Sequence, residues 1–124
     1  MQTRRFVIQE HATAEGVHWD LMLEQDDILT TFRLEEAPPE VLHHAIRAVK
    51  IFDHPLRFLT YEGPVQKGTG HVRLTDSGTY RLTGRDDDTI GLAMEGRILT
   101  GRFTLTRDRD QHWLFAAGSG ESRR

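Results

Sequence analysis

Short segments in which polar and apolar residues alternate recur along almost the whole chain, and turn residues separate them. Alternation places successive side chains on opposite faces, so each segment can bury one face and wet the other. Residues 5–11, 17–24 and 28–34 read as the first three strands, with a turn at Asp26-Asp27 between the second and third. Strands resume at 56–61, a segment that runs out at Gly63-Pro64. Residues 68–84 read as a hairpin turning at Asp76-Ser77-Gly78, residues 89–107 as another turning at Glu95-Gly96, and 112–116 as a last strand. One segment breaks the pattern. Over 37–52, prolines precede Val41, Leu42, Ala45, Ile46 and Val49, a three-to-four spacing that predicts one short helix. About eight short strands with one helix predict a mainly β fold, a small closed or nearly closed antiparallel barrel.

A length of 124 residues suits one domain, taken as 1–117, with 118–124 expected to be a disordered tail. No apolar run is long enough to span a membrane and none at the start resembles a signal peptide, so a cytoplasmic monomer is expected. A net charge of −3 argues against a large nonspecific nucleic-acid surface but leaves room for a local basic groove. The chain has no cysteine, so any metal must sit on His, Asp or Glu. Of the seven histidines, His43, His44, His71 and His112 read as surface residues.

The segment "VHWDLML" holds the most informative pattern. Trp19, Leu21 and Leu23 share one face, the natural core face, while His18, Asp20, Met22 and Glu24 share the other. A solvated polar face would look the same. However, neighbours on one face of a strand lie roughly 6.5–7 Å apart, close enough for a histidine and an aspartate to meet on one ion at about 2.0–2.2 Å. Gln9 and His11 share a face of the preceding segment, which can pair with 17–24 across the loop "ATAEG". In a cooperative register His11, His18 and Asp20 form a two-histidine, one-carboxylate site that suits Mn²⁺, Fe²⁺ or Zn²⁺. His54 is a fourth candidate, held extended by Pro55. A rival grouping of His18, Asp20 and His54 has the look of a non-haem iron triad in an oxygenase-like barrel.

The motifs "FVIQEH" (6–11), "HWDLMLE" (18–24), "DHPL" (53–56) and "YEGPV" (61–65), with weaker echoes in "SGTY" (77–80), "GRF" (101–103) and "HWLF" (112–115), cover nearly the whole chain in order. In this the chain resembles the 3'-phosphoesterase domain of bacterial DNA ligase D, a family that also includes short stand-alone proteins. The resemblance implies a small β-barrel that processes DNA 3' ends with a divalent metal, typically manganese. Such proteins remove a 3'-phosphate or a 3'-terminal ribonucleotide to leave a 3'-hydroxyl. It implies metal ligation by His11, His18 and Asp20, a supporting role for Gln9, and contact of His54 with the scissile phosphate. For a stand-alone domain, a separate DNA ligase or polymerase is the candidate partner. Three positions depart from the family pattern: Met22 stands where the family has arginine, Phe58 where it has tyrosine, and Glu36 where a lysine is usual after the third strand. Methionine cannot supply arginine's phosphate-matching fork, so the expected activity is weakened, altered or replaced by binding without chemistry. Arg33 and Arg73 are the arginines considered as substitutes.

Overall fold

A computed structural model describes residues 2–65 and 70–118. The strands are β1 (Arg4–Thr13), β2 (Gly16–Gln25), β3 (Ile28–Leu34), β4 (Ile46–Pro55), β5 (Gly63–Pro64), β6 (His71–Arg85), β7 (Thr89–Gly96), β8 (Thr100–Arg109) and β9 (His112–Ala117). They form one antiparallel sheet in the order β1-β2-β3-β4-β9-β8-β7-β6-β5, and a further β1–β6 pairing closes it. The expected barrel is therefore present, with eight strands in the ring and the two-residue β5 lying against β6. Of the expected tail, 118–124, Gly118 is described, its N–H donating to the Arg102 carbonyl at 2.7 Å, and 119–124 lie outside the described residues. Among the described residues no helix is long and apolar enough to cross a membrane, which says nothing of a β-barrel crossing.

The alternation read in 17–24 orients the sheet as expected. Leu21 and Leu23 point inward with Phe6, Ile8, Phe32, Leu34, Leu92 and Phe115, and they form one interior core. A smaller cluster lies on the outer face of the same strands. Val7, Met22, Leu29 and Leu59 are buried there, with Leu56, Phe58 and Leu74 packed against them. The sheet thus buries both faces over β1–β3, and the outer layer is laid down by the segment after β4.

Three local expectations are corrected. The helix over 37–52 is instead a 3-10 turn at Pro38–Leu42 followed by β4. Leu42 is 57% exposed, whereas Ile46 and Ala48 are buried, so the period from Ile46 onward is two. Pairing with β3 on one side and β9 on the other settles this segment, with its β-branched Ile46, Val49 and Ile51, as strand. The strand expected at 56–61 begins with a 3-10 turn, Leu56–Leu59. Leu56 and Leu59, three apart and so on one side of such a turn, both meet the outer cluster. Finally, no hairpin turns at Asp76-Ser77-Gly78. β6 runs through these residues, and the chain reverses at Asp86, whose carboxylate accepts from the Asp88 and Thr89 amides at 2.9 Å each. The β7–β8 reversal falls slightly beyond Glu95-Gly96, with Gly96 N–H donating to the Leu99 carbonyl at 2.8 Å.

The Asp26-Asp27 turn is where the sequence places it, with Asp26 at φ +57°. Beside it, Arg5 and Glu24 link β1 to β2: the Arg5 Nη2 to Glu24 Oε2 distance is 2.6 Å. The Arg5 hydrogen bond holds the Glu24 carboxyl below the ordinary glutamate range, with burial opposing it. A depressed carboxyl contributes stability above its unfolded pKa, about 4.3, and that contribution is lost as pH falls through the folded value. Arg5→Ala is expected to flatten the acid limb of thermal stability slightly. Salt should shrink the difference from wild type, because Arg5 is exposed.

Candidate metal centre

Backbone pairing decides whether His11, His18 and Asp20 meet. β1 and β2 pair so that His11 stands directly opposite His18 and Gln9 opposite Asp20. All four side chains therefore emerge from the outer face, side by side on neighbouring strands. His11 Nδ1 lies 3.2 Å from His18 Nε2, and the two rings meet edge to face. His18 Nε2 lies 3.5 Å from Asp20 Oδ2. One ligand-capable atom from each of the three lies within 4.8 Å of the others. Two donors about 2.1 Å from an ion, at right angles or tetrahedral, stand about 3.0–3.4 Å apart, so the His11–His18 separation fits and the His18–Asp20 separation is slightly wide.

The donor set passes a second test. Asp20 is buried; its Oδ2 is the oxygen nearest His18, and its Oδ1 faces Arg33 Nε at 3.6 Å without completing a hydrogen bond among the described residues. A buried carboxylate oxygen left open is costly unless a cation or donor completes it. The start of β6 closes the far side of His11. Gly70 sits at φ +114°, and a Cβ there would collide with the Ala12 carbonyl and stand 3.0 Å from His11 Nε2. Only glycine lets the chain pass this close. A cleft of about 470 Å³ opens over the site, with His11, His18 and Arg33 in its wall and Glu15 at its exposed rim. A second histidine–carboxylate group, Glu36, Glu40 and His44, lies at the surface, with His44 Nε2 2.6 Å from Glu36 Oε1.

Gln9 is 2% exposed and its Nε2 donates to the Phe58 and Tyr61 carbonyls, both at 3.1 Å. Both amide protons are thus taken up in holding the Leu56–Leu59 turn against β1. His54 reaches the same outer face from β4, where β3 and β4 slip register between Leu29 and Thr31. Such bulges re-aim side chains beside functional sites. The buried Thr31 hydroxyl donates to the Leu29 carbonyl at 3.0 Å and lies 2.9 Å from His54 Nδ1. A hydroxyl has one proton, so Thr31 must accept from Nδ1–H, and the neutral ring carries its lone pair on Nε2. Burial pushes the His54 imidazole below its ordinary range, while the Asp20 carboxylate acts in the opposite direction. Thus the three groups close enough to share an ion are His11, His18 and Asp20, while His54 lies against Thr31.

A row of rings extends from His54. Phe52, 73% exposed, stacks on it with centroids 4.8 Å apart. Phe58 meets it edge-on at 5.5 Å, and Tyr61 meets Phe58 at 5.7 Å. Arg57 lies over the Phe58 ring at 5.0 Å, and a cleft of about 280 Å³ opens between Arg57, Phe58, Tyr61, Pro64 and Val65. Met22 and Phe58 belong to one apolar cluster, Met22 1% exposed. Of the two arginines singled out as substitutes, Arg33 stands opposite Asp20 in the β2–β3 pairing, with its Nε 3.6 Å from Asp20 Oδ1. Arg73 is paired with Glu10 at 2.7 Å. Glu10 lies between Gln9 and His11 on β1 and so points to the opposite face. The Thr31 contact leaves no local signal in the sequence, because it depends on a register shift between strands.

Comparison with known proteins matches this architecture to one family. The description "DNA Ligase D 3'-phosphoesterase domain" fits residues 9–107. The chain is 32% identical over 124 residues to the multifunctional non-homologous end joining protein LigD of Mycolicibacterium smegmatis, covering 89% of this chain and 16% of that protein. It is 34% identical over 116 residues to the LigD DNA repair protein of Mycobacterium tuberculosis, covering 88% of this chain and 15% of the relative. It is 32% identical over 136 residues to the LigD protein of Pseudomonas aeruginosa, covering 96% and 16%. The chain therefore spans about a sixth of the length of these curated relatives. The match runs through the strands that carry Gln9, His11, His18, Asp20 and His54, and the chain belongs to the DNA ligase D 3'-phosphoesterase domain family.

Proposed function

We propose that this barrel is a metal-dependent phosphoesterase that trims nucleic-acid 3' ends, removing a 3'-phosphate or a 3'-terminal ribonucleotide to leave a 3'-hydroxyl. The observation that carries the reading is the meeting of His11, His18 and Asp20 on one outer face, with a ligand-capable atom of each within 4.8 Å of the others. These three residues would hold a divalent ion, most readily Mn²⁺, with Zn²⁺ and Fe²⁺ suited to the same donors. When bound, the ion supplies Lewis acidity to a phosphoryl oxygen and lowers the pKa of a coordinated water. Gln9 fixes the turn that carries Phe58 against the site. Thr31 holds His54 so that Nε2 is the atom that exchanges a proton with the reacting phosphoryl group. The row from Phe52 to Tyr61, with Arg57 beside it, supports a nucleic-acid substrate, since bases stack on exposed rings and arginine planes. The product end is the one a DNA ligase or polymerase consumes, which makes a separate enzyme of that kind the natural partner.

A second reading is binding of metal and DNA ends without turnover. The apolar environment of Met22 and Phe58 favours it, because neither residue offers a phosphate contact. Incubation of the protein with a 3'-phosphorylated primer–template and Mn²⁺ separates the two. A 3'-hydroxyl product absent from a His54→Ala control supports the phosphoesterase, and its absence from wild type at every divalent metal supports binding alone. His54→Ala is expected to lower the rate about 10²–10³-fold while leaving Mn²⁺ affinity within about threefold, because it touches no ligand.

A further inference from the structure

We propose that Arg33 is the phosphoryl-binding cation of this site and that the group it takes is a terminal phosphomonoester in its dianionic form. The inference rests on the metal-centre reading above. Arg33 emerges from β3 directly opposite Asp20 and lines the same cleft as His11 and His18. Its Nε and Asp20 Oδ1 are shielded from solvent, yet neither completes a hydrogen bond among the described residues. At 3.6 Å they form an ion pair too long for a hydrogen bond. The rest of the side chain is 42% exposed, so the guanidinium has donors free toward the cleft. The shielded Nε stays beside Asp20, and a phosphoryl group in the cleft takes up the remaining guanidinium N–H donors, whose fixed fork suits its oxygens.

Charge balance points the same way. Histidines that ligate a metal are neutral. One Asp20 carboxylate then faces the Arg33 guanidinium and, in the loaded site, a doubly charged ion, which leaves two positive charges uncompensated. Glu15 lies at the exposed rim, where solvent and salt weaken its effect. A phosphomonoester carries about −1.5 to −2 at neutral pH and matches this surplus. A phosphodiester, singly charged, leaves part of it unmet. Met22 is buried among apolar side chains, and Arg73 is committed to Glu10 on the other face.

The test compares Arg33→Gln, Arg33→Lys and Arg57→Gln with the parent, all in the His54→Ala background so that the ligand persists. Mn²⁺ affinity is read by paramagnetic resonance in the absence of DNA. Affinity of the Mn²⁺-loaded protein for a short single strand ending in 3'-phosphate or 3'-hydroxyl is read by fluorescence anisotropy. Arg33→Gln is expected to weaken binding of the 3'-phosphate strand by roughly ten- to a hundredfold and to leave the 3'-hydroxyl strand unchanged. Lysine should restore part of the loss. Removing a neighbouring cation should also tighten Mn²⁺ binding by roughly two- to tenfold. Arg57→Gln should weaken both strands alike. Equal loss on both strands with Arg33→Gln, or looser Mn²⁺ binding, overturns the proposal: Arg33 would then be a general backbone contact or a prop for Asp20. Intact Mn²⁺ binding and a 3'-phosphate preference unmoved by Arg33→Gln overturn the Arg33 role alone, whereas a parent that binds no Mn²⁺ overturns both this role and the metal-centre reading.

Discussion

Mn²⁺ binding is expected to fall at least about a hundredfold in His18→Ala, beyond the ten- to hundredfold typical of losing a residue that merely orients a ligand. His18 is the middle donor. Its Nε2 is 3.2 Å from His11 Nδ1 and 3.5 Å from Asp20 Oδ2, so its removal leaves two donors that no longer share a neighbour. Asp20 then has Arg33 as its remaining charged neighbour, and the cleft becomes a salt-bridged surface. The fold should survive, because His18 lies on the outer face and outside both apolar clusters. Paramagnetic resonance titration of Mn²⁺, beside a thermal melt within a few degrees of wild type, checks both halves. Full retention of Mn²⁺ by a His11/His18 double alanine variant would remove the assignment.

The largest effect on stability is expected at Asp76, far from any chemistry. This carboxylate is 1% exposed and accepts from four backbone amides: Ser77 at 2.8 Å, Arg97 at 2.7 Å, Ile98 at 3.1 Å and Leu99 at 2.9 Å. Three of these lie in the β7–β8 turn, whose N–H groups converge on a single anion instead of on a strand. Gly96 makes room for it, since a Cβ there would come within 2.7 Å of Asp76 Oδ2 and of the Phe6 ring. Asp76→Ala strands these donors, and each buried unsatisfied group costs about 1–3 kcal/mol. A loss of about 4 kcal/mol follows, a large part of a typical total of about 5–15 kcal/mol. Urea unfolding should show it as a lower midpoint at unchanged slope. Asp76→Asn keeps one acceptor oxygen and should cost about half as much. A variant as stable as wild type would show that the turn holds without its anion.

The same residue shows where the sequence misleads. Asp-Ser-Gly has the composition of a turn, yet here the aspartate closes a turn elsewhere in the chain and β6 continues through it, with only a register shift against β1 beside Asp76. Local composition names residues suited to satisfying loose amides, not whose amides those are. The helix expected over 37–52 failed for a related reason. Val41, Leu42, Ala45, Ile46 and Val49 match a helical period by coincidence, and pairing with β3 and β9, invisible locally, imposes a period of two. What was legible is what strand periodicity alone decides. The two faces of 17–24, the pairing of 5–11 with it and the facing of His11 and His18 follow from alternation and a short loop. The Thr31 hydroxyl on His54 and the alignment of Arg33 with Asp20 needed strand registers and a bulge that no single segment encodes.

The barrel's interior is filled with side chains, and the proposed metal-ligating trio sits on its outside wall, roofed on one side by the segment after β4. A workplace mounted on an exterior wall has no tunnel to thread. A polymer of any length can present just its tip there while the remainder trails away into solvent.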